Sequence, residues 1–278
     1  MKKNKIHFFT FGDHNFKLQK KHLIKLAEYS NFFDKIFAYS PKDIDKKFYE
    51  NYKVILNQKR GAGYWLWKYY FLNKIIENSK EGDIVIYLDA GSSINYHAEK
   101  RYKEYLDILN SSEFGSISFN EMDYNLEFKW TTKEIFYYFK CQDDKSILHT
   151  PQLNASALLF KNNEHTRNYL KEFIKTINFD PYLITDKYDK NQNEGFIENR
   201  HDQSISSIIK KIYGTHLLPN ENQFQDNLEK QYDFPFLTVR RKGYGLKDQI
   251  NFNLYPKKFG KEIQYFETSK KPRFKHTK

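Results

Sequence analysis

Short apolar runs alternate with stretches of helical spacing through the first third of the chain. The apolar runs are rich in aromatic and β-branched residues, and they predict strands at residues 6–11, 33–39 and 84–88. Apolar residues recur at intervals of three or four between these runs, which predicts helices over residues 16–29, 43–51 and 64–78. Strands that alternate with helices are typical of a mainly parallel sheet with helical crossovers, so we expect an α/β fold.

The alternation becomes less regular after residue 96. Further strands are predicted at residues 115–119 and 154–160, and further helices over residues 98–109, 132–139, 164–176 and 201–213. Thr131 or Thr132 is the expected cap of the second of these helices, and Gly214 ends the last one. The polar stretch 186–199 predicts a loop that becomes ordered when a ligand binds.

Composition limits the class of protein. The 278 residues suffice for one large domain, and the 18% aromatic content means that aromatic rings supply much of its core. No run approaches the roughly 18 apolar residues of a membrane span, and the first residues turn polar too soon for a signal peptide. We therefore expect a soluble, cytoplasmic protein. The single cysteine, Cys141, excludes an intrachain disulfide and a zinc cluster built on cysteines.

The chain carries a formal net charge of +11. Such a charge favours binding to nucleic acid, to an anionic membrane surface or to a phosphorylated ligand. The lysines are spread along the whole chain, which is also what a biased composition without a functional cause would produce. A basic tail at residues 266–278 leaves peripheral membrane contact as an option.

An acid at the end of an apolar strand is the first candidate for chemistry. Asp89 follows five apolar residues and precedes Ala90, Gly91 and two serines. Ligands bind at the carboxyl edge of open α/β sheets, where small residues let a bulky ligand approach the backbone. A carboxylate there suits Mg²⁺ or Mn²⁺ that carries the phosphates of a nucleotide. An aspartate that only caps a turn would give the same local sequence.

A glycine-rich turn with aromatic neighbours is the second candidate. The segment RGAGYWLWK places Gly61 and Gly63 beside Arg60, a fixed cation that can make bidentate contacts to phosphate. Lys68, one turn into the following helix, can reach a phosphate as well. Three aromatic residues of the segment suit either a core or stacking on a sugar or base, namely Tyr64, Trp65 and Trp67.

The third candidate lies at the start of the last predicted helix, where Arg200, His201, Asp202 and Gln203 follow one another. An aspartate at a helix start is ordinarily a cap. In the functional interpretation, Asp202 or Gln203 faces a reacting sugar carbon and His201 is its hydrogen-bond partner or base. Arg200 suits an anionic ligand. The chain has no GxSxG, Walker, HExxH or paired CxxC motif, which excludes the hydrolase, P-loop and zinc sites that need them.

These motifs, in this order, resemble small glycosyltransferases of the GT-A fold from bacteria, bacteriophages and large viruses. The resemblance covers residues 6–213 and is carried by RGAGYWLWK, IVIYLDAG, NASALLF and RHDQSISSII. It implies an α/β GT-A fold, with a Rossmann-like mixed, mainly parallel sheet flanked by helices and a less regular C-terminal extension. The implied catalytic domain covers residues 1–265, with a nucleotide-binding half at 1–95 and a sugar and acceptor half at 96–220.

The resemblance also implies roles for individual residues. Asp89 takes the place of one acid of the family's Asp-x-Asp motif, which binds the metal ion and the diphosphate of the nucleotide sugar. Gly91 stands where the second acid is expected, so the coordination of Mn²⁺ or Mg²⁺ must be completed by another group, by water or by the donor. Asp202 and Gln203 resemble the Asp-Gln element of retaining enzymes similar to glycosyltransferase family 8. An inverting enzyme would instead need Asp202 or another acid as general base, and both mechanisms stay open.

The implied substrates are a nucleotide sugar, UDP-linked in preference to GDP-linked, and a hydroxyl acceptor. The residues predicted to bind the donor are Thr10, Phe11, Gly12, Arg60, Gly61, Gly63, Tyr64, Trp67, Lys68, Asp89, Ala90 and Gly91. Asn154 and Arg200 are predicted to face the sugar and the acceptor. Asp202, Gln203 and His201 are predicted to carry the chemistry, and Asp89 to bind the metal.

Three functions stay open from the sequence. The first is transfer of a hexose to a hydroxyl of a surface or capsule glycan. The second is glycosylation of hydroxymethylated pyrimidines in phage DNA, which the positive charge and the basic tail favour. The third is a non-catalytic, basic nucleic-acid-binding protein on a degenerate glycosyltransferase fold, which the glycine at position 91 favours.

Overall fold

A central sheet organises the protein, whose computed structural model describes residues 4–223 and 233–238. The strands of this described part are β1 (Ile6–Phe11), β2 (Lys35–Tyr39), β3 (Ile84–Leu88), β4 (Ser93–Ile94), β5 (Ser116–Phe119), β6 (Ala157–Lys161), β7 (His216–Leu218) and β8 (Phe236–Leu237). Six of them form one sheet in the order β2-β1-β3-β6-β5-β7, and β4 pairs separately with β8.

The direction of the strands decides which loops meet. β1 runs parallel to β2 and β3, and β5 runs parallel to β7, whereas β6 is antiparallel to both of its neighbours. Five of the six strands therefore end at the same edge, and β6 begins there. This edge, which we call the carboxyl edge, brings together the segments that follow Phe11, Leu88 and Phe119 and the segment that precedes Ala157.

Helices cover both faces of the sheet. They are α1 (Lys17–Ser30), α2 (Lys46–Leu56), α3 (Gly61–Tyr64), α4 (Leu66–Glu77), α5 (Glu99–Ser111), α6 (Glu127–Trp130), α7 (Lys133–Tyr138), α8 (Lys145–Leu148), α9 (Glu164–Phe179) and α10 (Asp202–Tyr213). α4, α9 and α10 pack in one hydrophobic cluster, and α1 and α5 pack in the other. Every residue of β3 is buried as a result. Among the described residues, no helix has the length and apolar character needed to cross a membrane.

The fold class predicted from the sequence is confirmed, because the sheet is mixed, mainly parallel and flanked by helices. β1 and β3 span the predicted residues. The strand predicted at residues 154–160 begins later, at Ala157, because the Ser156 amide donates to the Asn154 side chain instead of joining the sheet. β7 lies where the sequence pattern predicted no strand.

Two further predictions concern the cap of α7 and the C-terminal part of the chain. Thr132 precedes α7 as predicted, but its side chain makes no capping hydrogen bond. The hydroxyl of Thr131 instead donates to Glu127 at 2.8 Å. The predicted domain end at residue 265 and the basic tail at 266–278 lie outside the described residues.

Candidate active site

Asp89 lies at the carboxyl edge, directly after β3. Its amide donates to the Ser156 carbonyl at 2.9 Å, which fixes the turn against the start of β6. The hydroxyl of Tyr87 donates to Asp89 Oδ1 at 2.5 Å. The Asp89 side chain is 36% exposed, so this carboxylate is held by the fold and still faces solvent.

Lys68 links the first and third candidate motifs. Its Nζ lies 2.7 Å from Asp202 Oδ2 and 2.9 Å from the Ala155 carbonyl, and the side chain is only 2% exposed. The same Nζ lies 3.9 Å from Asp89 Oδ1. A buried ammonium therefore sits between two carboxylates that are 113 positions apart in the sequence, counted from residue 89 to residue 202. Such a charge needs partners of this kind in the interior.

Asp202 is the first residue of α10 and is buried. Burial raises the pKa of its carboxyl to about 6, although attraction to Lys68 favours the charged form. Tyr69 closes the other side, with its hydroxyl 3.5 Å from Asp202 Oδ2, and burial raises the pKa of this phenol well above its usual range. Asp202 therefore changes charge close to neutral pH, as groups that carry chemistry often do.

Gln203 and Asn154 are held at the amino end of β6. Gln203 Oε1 accepts a hydrogen bond from the Ala155 amide at 3.2 Å, and its amide nitrogen donates to Gln152 at 2.9 Å. Asn154 Nδ2 donates to Glu121 Oε1 at 2.7 Å. The predicted sugar-facing residues are thus brought to the carboxyl edge in fixed orientations.

Arg200 lies on the far side of this group. Its guanidinium stacks 3.8 Å from the centre of the Trp130 ring, 3.6 Å from Glu121 Oε2 and 3.4 Å from Asn125 Oδ1. Stacking on an aromatic face and pairing with a carboxylate both orient a guanidinium. Arg200 is therefore an oriented cation. It is linked to Asn154 because both side chains contact Glu121.

The glycine-rich turn has an unusual backbone. Five consecutive residues, from Gly61 to Trp65, adopt positive φ angles of 58°, 51°, 101°, 50° and 60°. Each non-glycine residue in this left-handed region costs about 1–2 kcal/mol. A Cβ atom on Gly63 would lie 2.7 Å from the Cα atom of Leu56, so only glycine fits there. The turn feeds directly into α4, which carries Lys68.

The Asp186 carboxylate contacts three of the predicted site residues. Its carboxylate lies 2.9 Å from Arg60 Nη1 and 3.0 Å from His201 Nε2, and it accepts a hydrogen bond from the Tyr64 hydroxyl at 3.0 Å. Arg60 also pairs with Glu198 at 3.0 Å. Burial lowers the pKa of His201, and the bond to Asp186 opposes this. The turn and the start of α10 are therefore joined through one carboxylate of the 186–199 loop.

His201 itself is strained. It has φ 58° and ψ −119°, a combination that a residue with a side chain rarely adopts. Its ring stacks on Tyr64 with a centroid separation of 4.9 Å. Strain at the residue directly before Asp202 means that the surrounding contacts, and not local preference, set the start of α10.

The remaining predicted donor residues lie at the ends of β1 and β3, except Trp67, which lies on α4. Thr10 donates its hydroxyl to the Leu88 carbonyl at 2.8 Å, and the rings of Phe11 and Trp67 stack at 3.8 Å. These three side chains are buried, so they shape the edge from within. Gly12, Ala90 and Gly91 are buried beside them. Contact of these residues with a nucleotide stays a prediction.

The chemistry of the donor set decides whether a metal ion fits at Asp89. One carboxylate oxygen accepts from Tyr87, and the other has no hydrogen-bond partner among the described residues. Residues 4–223 and 233–238 contain no group of three or more His, Cys, Asp or Glu side chains arranged for a metal. Mg²⁺ is commonly held by one or two carboxylates together with substrate phosphates and water. Asp89 therefore fits as a single protein ligand to an ion that arrives with the donor.

Several residues of the site were not predicted from the sequence. Glu121 lies two residues after the end of β5, at the same edge as Asp89, so the rule that identified Asp89 could have indicated it as well. Lys20 donates to the carbonyls of Gly12 at 3.0 Å and Tyr39 at 2.7 Å, but it lies on a helix without a motif. Asp186 is one acid in a polar loop, and no sequence signal separates it from its neighbours.

Comparison with known proteins identifies the fold. No protein-family profile and no curated protein sequence matches the chain. The bifunctional glycosyltransferase WbbM is similar in structure, with a TM-score of 0.50 and 11% identity over 97% of this chain. The match covers 53% of WbbM, so the chain spans about half of that protein's length.

Two other solved structures resemble the chain. One is a glycosyltransferase involved in glycosylation of the major capsid of PBCV-1, with a TM-score of 0.47, 9% identity, and coverage of 90% of this chain and 99% of that one. The other is the galactosyltransferase LgtC, with a TM-score of 0.44, 12% identity, and coverage of 97% and 98%. At these identities the likeness concerns the fold alone, and the WbbM match carries it. The chain has the GT-A fold of glycosyltransferases.

Proposed function

We propose that the protein transfers a hexose from a nucleotide-diphosphate sugar, UDP-linked in preference, to a hydroxyl acceptor. The observation that carries this proposal is the meeting of Asp89, Lys68 and Asp202 at the carboxyl edge of a GT-A sheet. These residues come from three separate motifs. A buried carboxylate whose pKa is raised to about 6, beside a specific charged partner, is an arrangement that functional sites often show.

The donor diphosphate is proposed to lie over Asp89. Mg²⁺ or Mn²⁺ bound there would neutralise the charge of the departing diphosphate. Lys68 offsets part of the negative charge of Asp89 and Asp202, which lowers their repulsion of the phosphates. The nucleotide is proposed to extend from there toward the ends of β1 and β2.

The sugar is proposed to face Asp202, Gln203 and Asn154. In the transfer, the acceptor oxygen bonds to the anomeric carbon, and the bond from that carbon to the diphosphate oxygen breaks. Positive charge develops on the sugar ring in such reactions. The ionised Asp202 carboxylate, oriented by Lys68, would stabilise this charge. The acceptor proton would leave with a base or with the departing phosphate, and retention and inversion are both compatible with this arrangement.

A surface or capsule glycan is the proposed acceptor. Phage DNA with hydroxymethylated pyrimidines is the second candidate, and the net charge of +11 favours it. Assays with oligosaccharides and with duplex DNA carrying hydroxymethylpyrimidines separate the two. Transfer to DNA, with binding that weakens steeply as salt rises, would decide for the second candidate and against a glycan.

A donor screen tests the proposed activity. Purified protein is incubated with UDP- and GDP-sugars, with Mg²⁺, with Mn²⁺ and with a chelator, and release of the nucleoside diphosphate is measured. We expect slow hydrolysis of one donor class, stronger with a divalent ion, because water can replace an absent acceptor. Absence of both binding and hydrolysis across all donors would favour the non-catalytic interpretation.

A further inference from the structure

One face of α10 carries polar residues into the core. Asp202, Ser206 and Lys210 are four positions apart and therefore lie on the same side of the helix. All three are buried. Between the two charged residues, the Ser206 hydroxyl pairs with the Tyr169 hydroxyl of α9 at 2.7 Å.

Lys210 is the unusual member of this row. It is 2% exposed, and its Nζ has no hydrogen-bond partner among the described residues. The Nζ lies 5.2 Å from the centre of the Phe160 ring of β6 and 5.9 Å from that of Tyr169. Aromatic faces attract an ammonium at such distances, but they replace its hydration only in part.

Among the described residues, two charged groups act on this amine through their charge, Lys68 from α4 and Asp202 from α10 itself. β6 contributes only the Phe160 ring, and α9 contributes the Tyr169 phenol, whose pKa is raised by burial. Burial and repulsion by Lys68 lower the pKa of Lys210 to about 7, while attraction to Asp202 opposes the shift. A buried amine without a partner costs stability, so packing alone gives no reason for a lysine here.

We infer that Lys210 is a positioning residue for the proposed transfer: its buried ammonium acts through Asp202 and helps to keep that carboxylate ionised. Electrostatic coupling is reciprocal, so the attraction that favours the charged lysine equally favours the charged aspartate. Lys210 touches no reacting atom in this account. The part of the inference that concerns turnover rests on the proposed function, whereas the coupling itself does not.

The neighbouring Lys211 provides a matched control. It lies on the same helix, but its Nζ pairs with Glu127 at 3.0 Å and donates to Thr150 Oγ1 at 2.8 Å, away from Asp202. The variants Lys210→Met and Lys211→Met each remove one amine and keep a long apolar stem. Carboxyl ¹³C NMR of aspartate-labelled protein follows the titration of Asp202, and loss of its signal in Asp202→Asn assigns it.

We expect Lys210→Met to raise the titration midpoint of Asp202 by about one pH unit, the size of a charge–charge interaction at moderate distance inside a protein. Lys211→Met should leave the midpoint unchanged. The acid limb of donor hydrolysis should move with Asp202, giving about a fivefold loss at pH 6 and nearly equal rates at pH 8.

An Asp202 midpoint that is the same in Lys210→Met and wild type would overturn the inference. Equal shifts in both lysine variants would overturn it too, because they would reflect a general change in packing. Absence of hydrolysis with every donor in the wild-type protein would count against the proposed function only. The NMR titration still decides the coupling in that case.

Discussion

At the scale of single residues, the site is defined by which charges are buried and which partners they have. Asp89 faces solvent, Lys68 is buried, and Asp202 is buried with its pKa raised to about 6. The sequence identified all three as candidates, because strand ends and helix starts are visible in the hydrophobic pattern. It could not pair Lys68 with Asp202, since the partners are 134 positions apart and no local signal encodes the contact.

The charge of Asp202 gives a pH prediction. Because burial raises its pKa to about 6, the ionised form needed for transfer is lost as pH falls through that value. Wild-type donor hydrolysis should therefore rise with pH to a plateau above about 7. Asp202→Asn, which keeps the shape without the charge, should lose at least about a hundredfold in rate and the pH-dependent rise, within the range typical of catalytic groups.

The same shift affects stability with the opposite sign from a usual aspartate. The folded state binds the Asp202 proton more tightly than the unfolded state, so stability falls as pH rises from about 4 to 6. Asp202→Asn should remove this contribution. Thermal unfolding of both proteins across that range measures it, and parallel curves would show that the carboxyl is not perturbed.

At the scale of elements, the left-handed turn from Gly61 to Trp65 positions the start of α4. The sequence indicated a tight turn from its two glycines. The run of five positive φ angles could not be predicted, because Ala62, Tyr64 and Trp65 prefer other conformations. Tertiary contacts hold the turn in this conformation, including those of Tyr64 with Asp186 and His201.

Two substitutions in this turn should act in opposite directions. Gly63→Ala should destabilise the fold by about 2 kcal/mol or more, because its Cβ would overlap the backbone at Leu56 and its φ is 101°. Ala62→Gly, one residue away, should be neutral or slightly stabilising, because it relieves a φ of 51°. Denaturant unfolding measures both. Equal stability of the two variants would show that the turn is not strained.

The two lysines at the end of α10 should also separate by stability. Lys210→Met removes a buried amine that lacks a partner, so we expect a rise of about 5 °C in the unfolding midpoint near neutral pH. The pKa of Lys210 is lowered to about 7, so burial of this amine destabilises the folded state fully below that pH. The destabilisation decreases as the pH rises toward 10.5.

Lys211→Met should have the opposite effect. It leaves Glu127 buried without its cation, and breaking such a pair typically costs about 3–5 kcal/mol. The midpoint should fall. A lower unfolding midpoint for Lys210→Met than for Lys211→Met would show that the Lys210 amine has a stabilising partner.

At the scale of the whole molecule, the direction of β6 assembles the site. The apolar runs predicted the bounds of β1 and β3 correctly, because each run is flanked by polar residues. The antiparallel direction of β6 could not be predicted from NASALLF. A fully buried strand has the same apolar pattern whether it pairs in a parallel or an antiparallel direction. Yet this reversal places Ser156 beside Asp89 and Ala155 beside Lys68. The motifs were visible in the sequence, but their meeting point was not.

We propose that the carboxyl edge around Asp89 binds and activates a nucleotide sugar. The most direct measurement compares donor hydrolysis and nucleoside diphosphate binding in wild type, Asp89→Ala and Asp83→Ala. Asp83 lies at the opposite end of the same strand, where it accepts from the Lys5 amide at 2.8 Å. We predict that Asp89→Ala loses at least about a hundredfold in hydrolysis while still folded, as removal of a key electrostatic contact does. Asp83→Ala should keep its rate wherever it is folded. Full activity in Asp89→Ala would show that this edge does not activate the donor.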